Sequence, residues 1–90
     1  MVRFYLKFTG RVQGVGFRFF AAMNAEKCHL TGWVKNMPDG SVTAEVQGTR
    51  LQIKQFLQLI QAGNRFVRVD NIEKEERLCE EKEKGFHVKY

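Results

Sequence analysis

The first nine residues alternate. Val2, Phe4, Leu6 and Phe8 fall in one phase and Arg3, Tyr5, Lys7 and Thr9 in the other, the period of a half-buried strand. Glycines at 10, 14 and 16 end it. Beyond them Phe17, Phe20, Ala21, Ala25 and Cys28 recur at helical spacing and predict a helix of about three turns. Gly32-Trp33-Val34-Lys35 reads as a second strand and Met37-Pro38-Asp39-Gly40 as a tight turn. Val42, Ala44 and Val46 then alternate with Ser41, Thr43, Glu45 and Gln47, so strands two and three form a hairpin. Thr49 with Gln52 makes a capping box for a second helix, whose apolar face is Ile53, Phe56, Leu57 and Ile60 and which Gly63 stops. Phe66 to Ile72 reads as a fourth strand, with Val67 and Val69 in phase. The charged, irregular stretch Glu73 to Lys84 reads as a solvated loop or frayed hairpin. Phe86, Val88 and Tyr90 alternate in a short final strand.

The order strand, helix, strand, strand, helix, strand, with a short terminal strand, predicts an α+β sandwich of the split βαβ type. Two helices then cover one face of an antiparallel sheet. Ninety residues make one domain, 1–90. At 43% hydrophobic with eight Phe, the chain can pack one layer on another and is not disordered. It has room for one site built from loops and none for a separate cofactor-binding domain.

The formal charge of +5 fits an anionic partner and fits a plain solubility surface equally well. Cys28 and Cys79 are too few and too far apart for a disulfide scaffold or a zinc site. They read as two buried or half-buried free thiols in a reducing compartment, a single bridge being the alternative. No apolar run approaches the ~18 residues of a membrane span and the N-terminus lacks a secretory apolar region. The expectation is a soluble, cytoplasmic monomer with no membrane or nucleic-acid partner.

Connectivity alone suggests where a site would lie. A helix joining two strands of one sheet leaves them parallel, so the glycine loop after strand one and Asn36 after strand two share an edge. With strand three between them, the two points are about 10 Å apart. The loop suits an anion. Three glycines between positions 10 and 16 let consecutive N–H groups turn inward, the helix start adds unpaired donors and its positive dipole end, and Arg18 offers a bidentate fork. Spacing alone leaves open that the loop is merely a tight turn.

The missing groups narrow the chemistry. No Lys-Ser/Thr follows the glycines, so this is not the nucleotide P-loop, and their spacing is not the dinucleotide fingerprint. No Ser, Thr, Cys or His lies between Gly10 and Phe20 to act as a covalent nucleophile. No Asp or Glu lies there or from Leu30 to Pro38 to serve as general acid or Mg²⁺ ligand. An acyl phosphate tolerates this poverty. Its leaving carboxylate has a conjugate acid of pKa about 4 and needs no proton, while its transition state is loose and metaphosphate-like. Main-chain donors and Arg18 could hold the equatorial oxygens, and the neutral amide of Asn36 could aim a water.

Gly10-Arg-Val-Gln-Gly-Val-Gly-Phe-Arg18, Gly32-Trp-Val-Lys-Asn36 and Pro38-Asp-Gly-Ser-Val42 closely resemble the motifs of the acylphosphatase family. The likeness continues through Val46-Gln-Gly48 and Phe86-His-Val-Lys-Tyr90. The resemblance implies a ferredoxin-like fold and hydrolysis of carboxyl-phosphate bonds without cofactor or metal, on substrates such as acetyl phosphate, carbamoyl phosphate or 1,3-bisphosphoglycerate. It implies Arg18 as phosphate-binding arginine, Asn36 as water-orienting asparagine, and Gln13, Gly14, Val15, Gly16, Phe17 and Arg18 as the phosphate cradle, which inorganic phosphate or sulfate would also occupy. Three positions depart from the pattern: Met37 where Thr is frequent, His29 where Gly commonly ends the first helix, and Cys28 where Leu is frequent.

Other readings of the residues are weaker. An RNA-reading domain of this topology needs aromatics on its central strands, and Ser41 to Gln47 has none. A metal carrier would want Cys-x-x-Cys in the first loop, which is absent. A phosphate-sensing or maturation domain is a third reading, since the resembling domain also occurs inside hydrogenase-maturation carbamoyltransferases. His29 and His87 read as structural or surface residues, Arg11 as a surface residue or an aid in steering anions, and Trp33 and Tyr90 as packing residues.

Overall fold

The alternation at the N-terminus survives in the computed structural model, which describes residues 1–90. It belongs to β1 (Val2–Arg11), followed by α1 (Phe17–Lys27), β2 (Thr31–Asn36), β3 (Val42–Gly48), α2 (Arg50–Ala62), β4 (Arg68–Arg77) and β5 (Phe86–Lys89). The strands form one sheet in the order β4-β1-β3-β2-β5. This is the ferredoxin-like arrangement expected, and β3 does separate the parallel strands β1 and β2.

The sheet is mixed, however, not wholly antiparallel, because β5 pairs parallel to β2. The cause is topological. β4 and β5 occupy opposite edges, so residues 78–85 must carry the chain across the sheet to the edge beside β2.

Two boundaries of β4 also differ from expectation. Phe66 and Val67 lie outside the ladder, because the Asn64 Oδ1 accepts from both of their N–H groups at 2.8 Å and bends the chain into an Asx turn. At the other end, Glu73–Arg77 is strand, not loop, each residue facing one between Lys7 and Arg3. All five are solvent-exposed, so no apolar alternation betrays them. Main-chain pairing and charged neighbours hold this edge instead, with Arg77 2.6 Å from Glu75 and over the ring of Tyr5.

Eighteen buried residues form a core that draws on both helices and the sheet. Phe17 packs with its ring centroid 5.1 Å from that of Phe8, and Ile53, Phe56 and Ile60 of α2 are buried. The Thr49–Gln52 capping box forms in both directions. His29 takes φ 59° after α1, the left-handed conformation that Gly would accept at less strain. At Gly10, where β1 bulges against β4, φ is 127° and a Cβ would stand 2.4 Å from the Arg68 carbonyl oxygen. No helix is long and apolar enough to cross a membrane.

The sheet face opposite the helices carries an unexpected buried cation. Arg3 is 2% exposed. Its guanidinium donates to Glu83 through two bonds of 2.7 and 3.0 Å and to Glu45 at 2.6 Å. Gln47 adds a second tie, exchanging bonds with the main chain of Glu80 at 2.8 and 3.0 Å. The stretch that reads as solvated is therefore a strap across the sheet, fastened just before β5.

Candidate active site

β1 and β2 end at one edge of the sheet, where the loop leading into α1 meets Asn36. Gly14 (φ 74°) and Gly16 (φ 76°) are both left-handed, which turns the main chain inward ahead of the helix. A Cβ on either would touch nothing within 4 Å, so these positions need glycine for conformation and not for space. Gly16 is the N-cap of α1 and no side chain caps the helix. None of the N–H groups from Gly14 to Arg18 donates to a main-chain carbonyl in a loop, turn or cap. They remain as a run of donors at the positive end of the helix.

The loop borders a hollow of about 240 Å³ lined by Val12, Gly14, Gly16, Phe17, Arg18, Phe19, Asn36, Val88 and Tyr90. It brings together Gly14, Gly16, Phe17, Arg18 and Asn36 from the expected set. Gln13 and Val15 are not in its lining. Val15 packs against the core, and the Gln13 amide donates to the carbonyl oxygens of Met37 and Ser41, both at 2.8 Å. Gln13 thus staples the loop to the turn that follows Asn36. That turn is braced further by Asp39, which accepts from the Ser41 hydroxyl and N–H at 2.6 and 2.9 Å and faces Lys7 at 3.2 Å. The Ser41 donors first, then Lys7, hold the Asp39 carboxyl down to about 2.

Arg18 is held at two points by the end of the chain. Its Nη1 donates to the Lys89 carbonyl at 3.1 Å, and its guanidinium carbon lies 4.6 Å from the centroid of the Tyr90 ring. The Lys89 ammonium in turn sits 4.6 Å over Trp33. Tyr90 is therefore not a packing residue: it is 94% exposed and forms part of the wall of the hollow. Its position follows from the parallel docking of β5, for which the local alternation gives no signal. Asn36 presents the complementary feature. Its Oδ1 is buried and has no hydrogen-bond partner, an acceptor unsatisfied by the protein and hence suited to a bound donor.

The donor set is that of an anion site: main-chain N–H groups, a guanidinium and a carboxamide. No three His, Cys, Asp or Glu side chains come together to hold a metal ion. Cys28 and Cys79 are both free. Burial pushes the Cys28 thiol upward, whereas Cys79 is exposed, contrary to the expectation of two buried or half-buried thiols. A larger groove of about 710 Å³ between α2 and β4 is lined by none of the expected site residues.

A mixed sheet with two covering helices and a hollow at the ends of two parallel strands defines a small α+β protein of ferredoxin-like fold. The acylphosphatase family model matches residues 4–88. The acylphosphatase of Geobacillus kaustophilus is 46% identical over 90 residues, covering 100% of this chain and 96% of that one. The crystal structure of the Bacillus subtilis acylphosphatase superposes with a TM-score of 0.93 at 37% identity, each chain covered completely. HypF from T. kodakarensis contains a similar unit, TM-score 0.86 at 32% identity over 100% of this chain and 12% of that one. The chain belongs to the acylphosphatase family, whose enzymes hydrolyse acyl phosphates.

Proposed function

We propose that the hollow at the ends of β1 and β2 is the catalytic centre and that the reaction there is direct attack of water on phosphorus. Small acyl phosphates such as acetyl phosphate, carbamoyl phosphate and 1,3-bisphosphoglycerate are the substrates. The observation that carries this reading is the convergence of Arg18 and Asn36 on one hollow beside Gly14, Gly16 and Phe17, whose N–H groups make no loop or cap bond to the main chain.

The N–H groups of the loop and the fork of Arg18 hold the equatorial phosphoryl oxygens and stabilise the charge that spreads over them in the transition state. The Asn36 Oδ1 accepts a hydrogen bond from the attacking water, which satisfies that buried oxygen and points the water's lone pair at phosphorus. The new bond joins water oxygen to phosphorus while the phosphorus–carboxylate oxygen bond breaks. An acyl phosphate dianion and water yield a carboxylate and dihydrogen phosphate, with charge and atoms balanced. The departing carboxylate is a weak base, so no side chain need donate a proton. Gln13 supports the reaction indirectly by tying the loop to the turn after Asn36.

The test is phosphate release from acetyl or benzoyl phosphate in EDTA, with an alkyl phosphate ester as control. Activity on the anhydride alone, inhibited competitively by inorganic phosphate, is the expected result. Strict Mg²⁺ dependence, or equal rates on the ester, would refute the proposal.

A further inference from the structure

Two helices cover a sheet of five strands, and the β4 edge is left short of cover. Side chains directly opposite one another in an antiparallel pair share a face. Ile72 stands opposite Phe8 and Lys74 opposite Leu6, and both Phe8 and Leu6 are fully buried in the core. Ile72 and Lys74 therefore belong to the helix-covered face, yet Ile72 is only half-buried and Lys74 is exposed. α2 stops short of them. What remains is the groove of about 710 Å³ between α2 and β4, which shares no residue with the hollow at the ends of β1 and β2.

The floor of the groove is apolar. Ile53 is buried, while Phe4, Leu57 and Ile72 are half-buried against the core. Two contacts fix how α2 lies along β4. Arg50 meets Glu76 at 3.5 Å, and the Gln61 amide donates to the Val69 carbonyl at 3.2 Å, so helix and strand run antiparallel. The two ends of the groove consequently differ. Arg50, Lys54 and Lys74 stand toward one end, and Gln58, Gln61, Asp70 and Asn71 toward the other. Arg50 and Asp70 have ion-pair partners in Glu76 and Arg68. Lys54 on the helix wall and Lys74 on the strand wall have none. The uncompensated charge is thus two ammonium groups beside an apolar floor, and the Asp70 carboxylate disfavours an anion at the far end.

The complement of such a groove is an anionic head on an apolar body. Its size selects a small molecule, because the volume is that of a ligand site. Its 11 lining residues are fewer than the roughly 20–30 a side of a stable protein interface. Its shape selects a chain: α2 advances about 16 Å from Arg50 to Gln61 and β4 about 14 Å from Asp70 to Lys74. The family's own reaction releases a carboxylate. We infer that this groove binds an aliphatic carboxylate of about ten carbons, with Lys54 and Lys74 holding the head and Leu57 and Ile72 carrying the chain. The inference goes beyond the catalytic reading and holds whether or not the hollow is the catalytic centre.

The test is an NMR titration of the full chain, labelled with ¹⁵N, with octanoate, decanoate and 1-octanol below their aggregation thresholds. Amide shifts are expected at residues 50–61 and 70–74. Decanoate should bind about fourfold more tightly than octanoate, each methylene gaining about twofold on a floor half open to water. In the double variant Lys54→Gln/Lys74→Gln, both positions being exposed, octanoate affinity should fall about tenfold while octanol affinity holds. Leu57→Ser should instead remove most of the advantage of decanoate over octanoate and spare the effect of the head. Equal affinities for the two acids overturn the inference, as does equal weakening of octanoate and octanol in the lysine variant. Shifts confined to residues 13–18 and 36 would place the carboxylate in the hollow and overturn it too. A glutamate-rich peptide that displaces decanoate and binds more tightly would assign the groove to a protein partner. Shifts at the same residues on raising the protein concentration alone would assign it to a second copy of the chain, and either result refutes the small-molecule site.

Discussion

On the proposed mechanism Arg18 and Asn36 do different work from neighbouring positions, and their substitutions should fail differently. Arg18 is planar, forked and held by the Lys89 carbonyl and the Tyr90 ring. A lysine at this position offers a compact charge without the fork. Arg18→Lys is expected to lose ~10³-fold or more in kcat/KM on acetyl phosphate, the scale seen when an arginine contact to a transferring phosphoryl group is removed. Retention of a tenth of the activity would exclude that role. Asn36 contributes an oxygen with no partner in the protein, so its truncation disturbs no existing bond of that atom. In Asn36→Ala, turnover should fall while the inhibition constant for inorganic phosphate stays near the wild-type value. Weakened phosphate inhibition with normal turnover would reverse the assignment. The placement of both residues at one hollow was legible in the sequence, because a glycine loop before a helix and a strand end before a turn carry recognisable spacing. Tyr90 was not, since its role depends on which strand β5 joins.

At the scale of elements, the least legible part of the chain is the one that returns it to the site. Residues 73–84 are rich in Glu and Lys, which reads as solvated from composition. Yet the first five extend β4, and Glu83 clamps Arg3 across the open sheet face. Periodicity detects apolar faces, and neither an exposed edge strand nor a buried ion pair has one. The clamp has a pH signature. Burial alone would raise the Glu83 carboxyl, but the Arg3 hydrogen bond, that of Thr31 and then the charge of Arg3 outweigh it and hold the group below its ordinary 4.5. A carboxyl depressed in the folded state stabilises above the unfolded value and loses that contribution as the pH falls through the folded one. Glu83→Gln should therefore be less stable than wild type by about 2 kcal/mol at pH 7, the scale of a hydrogen bond to a charged group. The gap should narrow below pH 4.5. Urea unfolding at pH 7 and pH 3 measures both, and a gap independent of pH would show that the pair contributes no charge-dependent stability.

For the molecule as a whole, the capping box, both helices and the first three strands were readable because local pattern and tertiary environment agree there. The direction of β5 was not readable, because it depends on the chain crossing the whole sheet from β4 to the far edge. That crossing bears on more than topology. The wall of the hollow and the anchor of Arg18 are supplied by residues 88–90, about as far along the chain from the glycine loop as its length permits. They are carried on a strand of four residues with only one neighbour. Short edge elements open at lower free energy than the core they adjoin. On the proposed function, a molecule whose last strand has peeled away keeps its helices and most of its sheet but loses the wall of its site and the anchor of Arg18. Catalytic competence is then a finer gauge of this protein's integrity than its secondary structure.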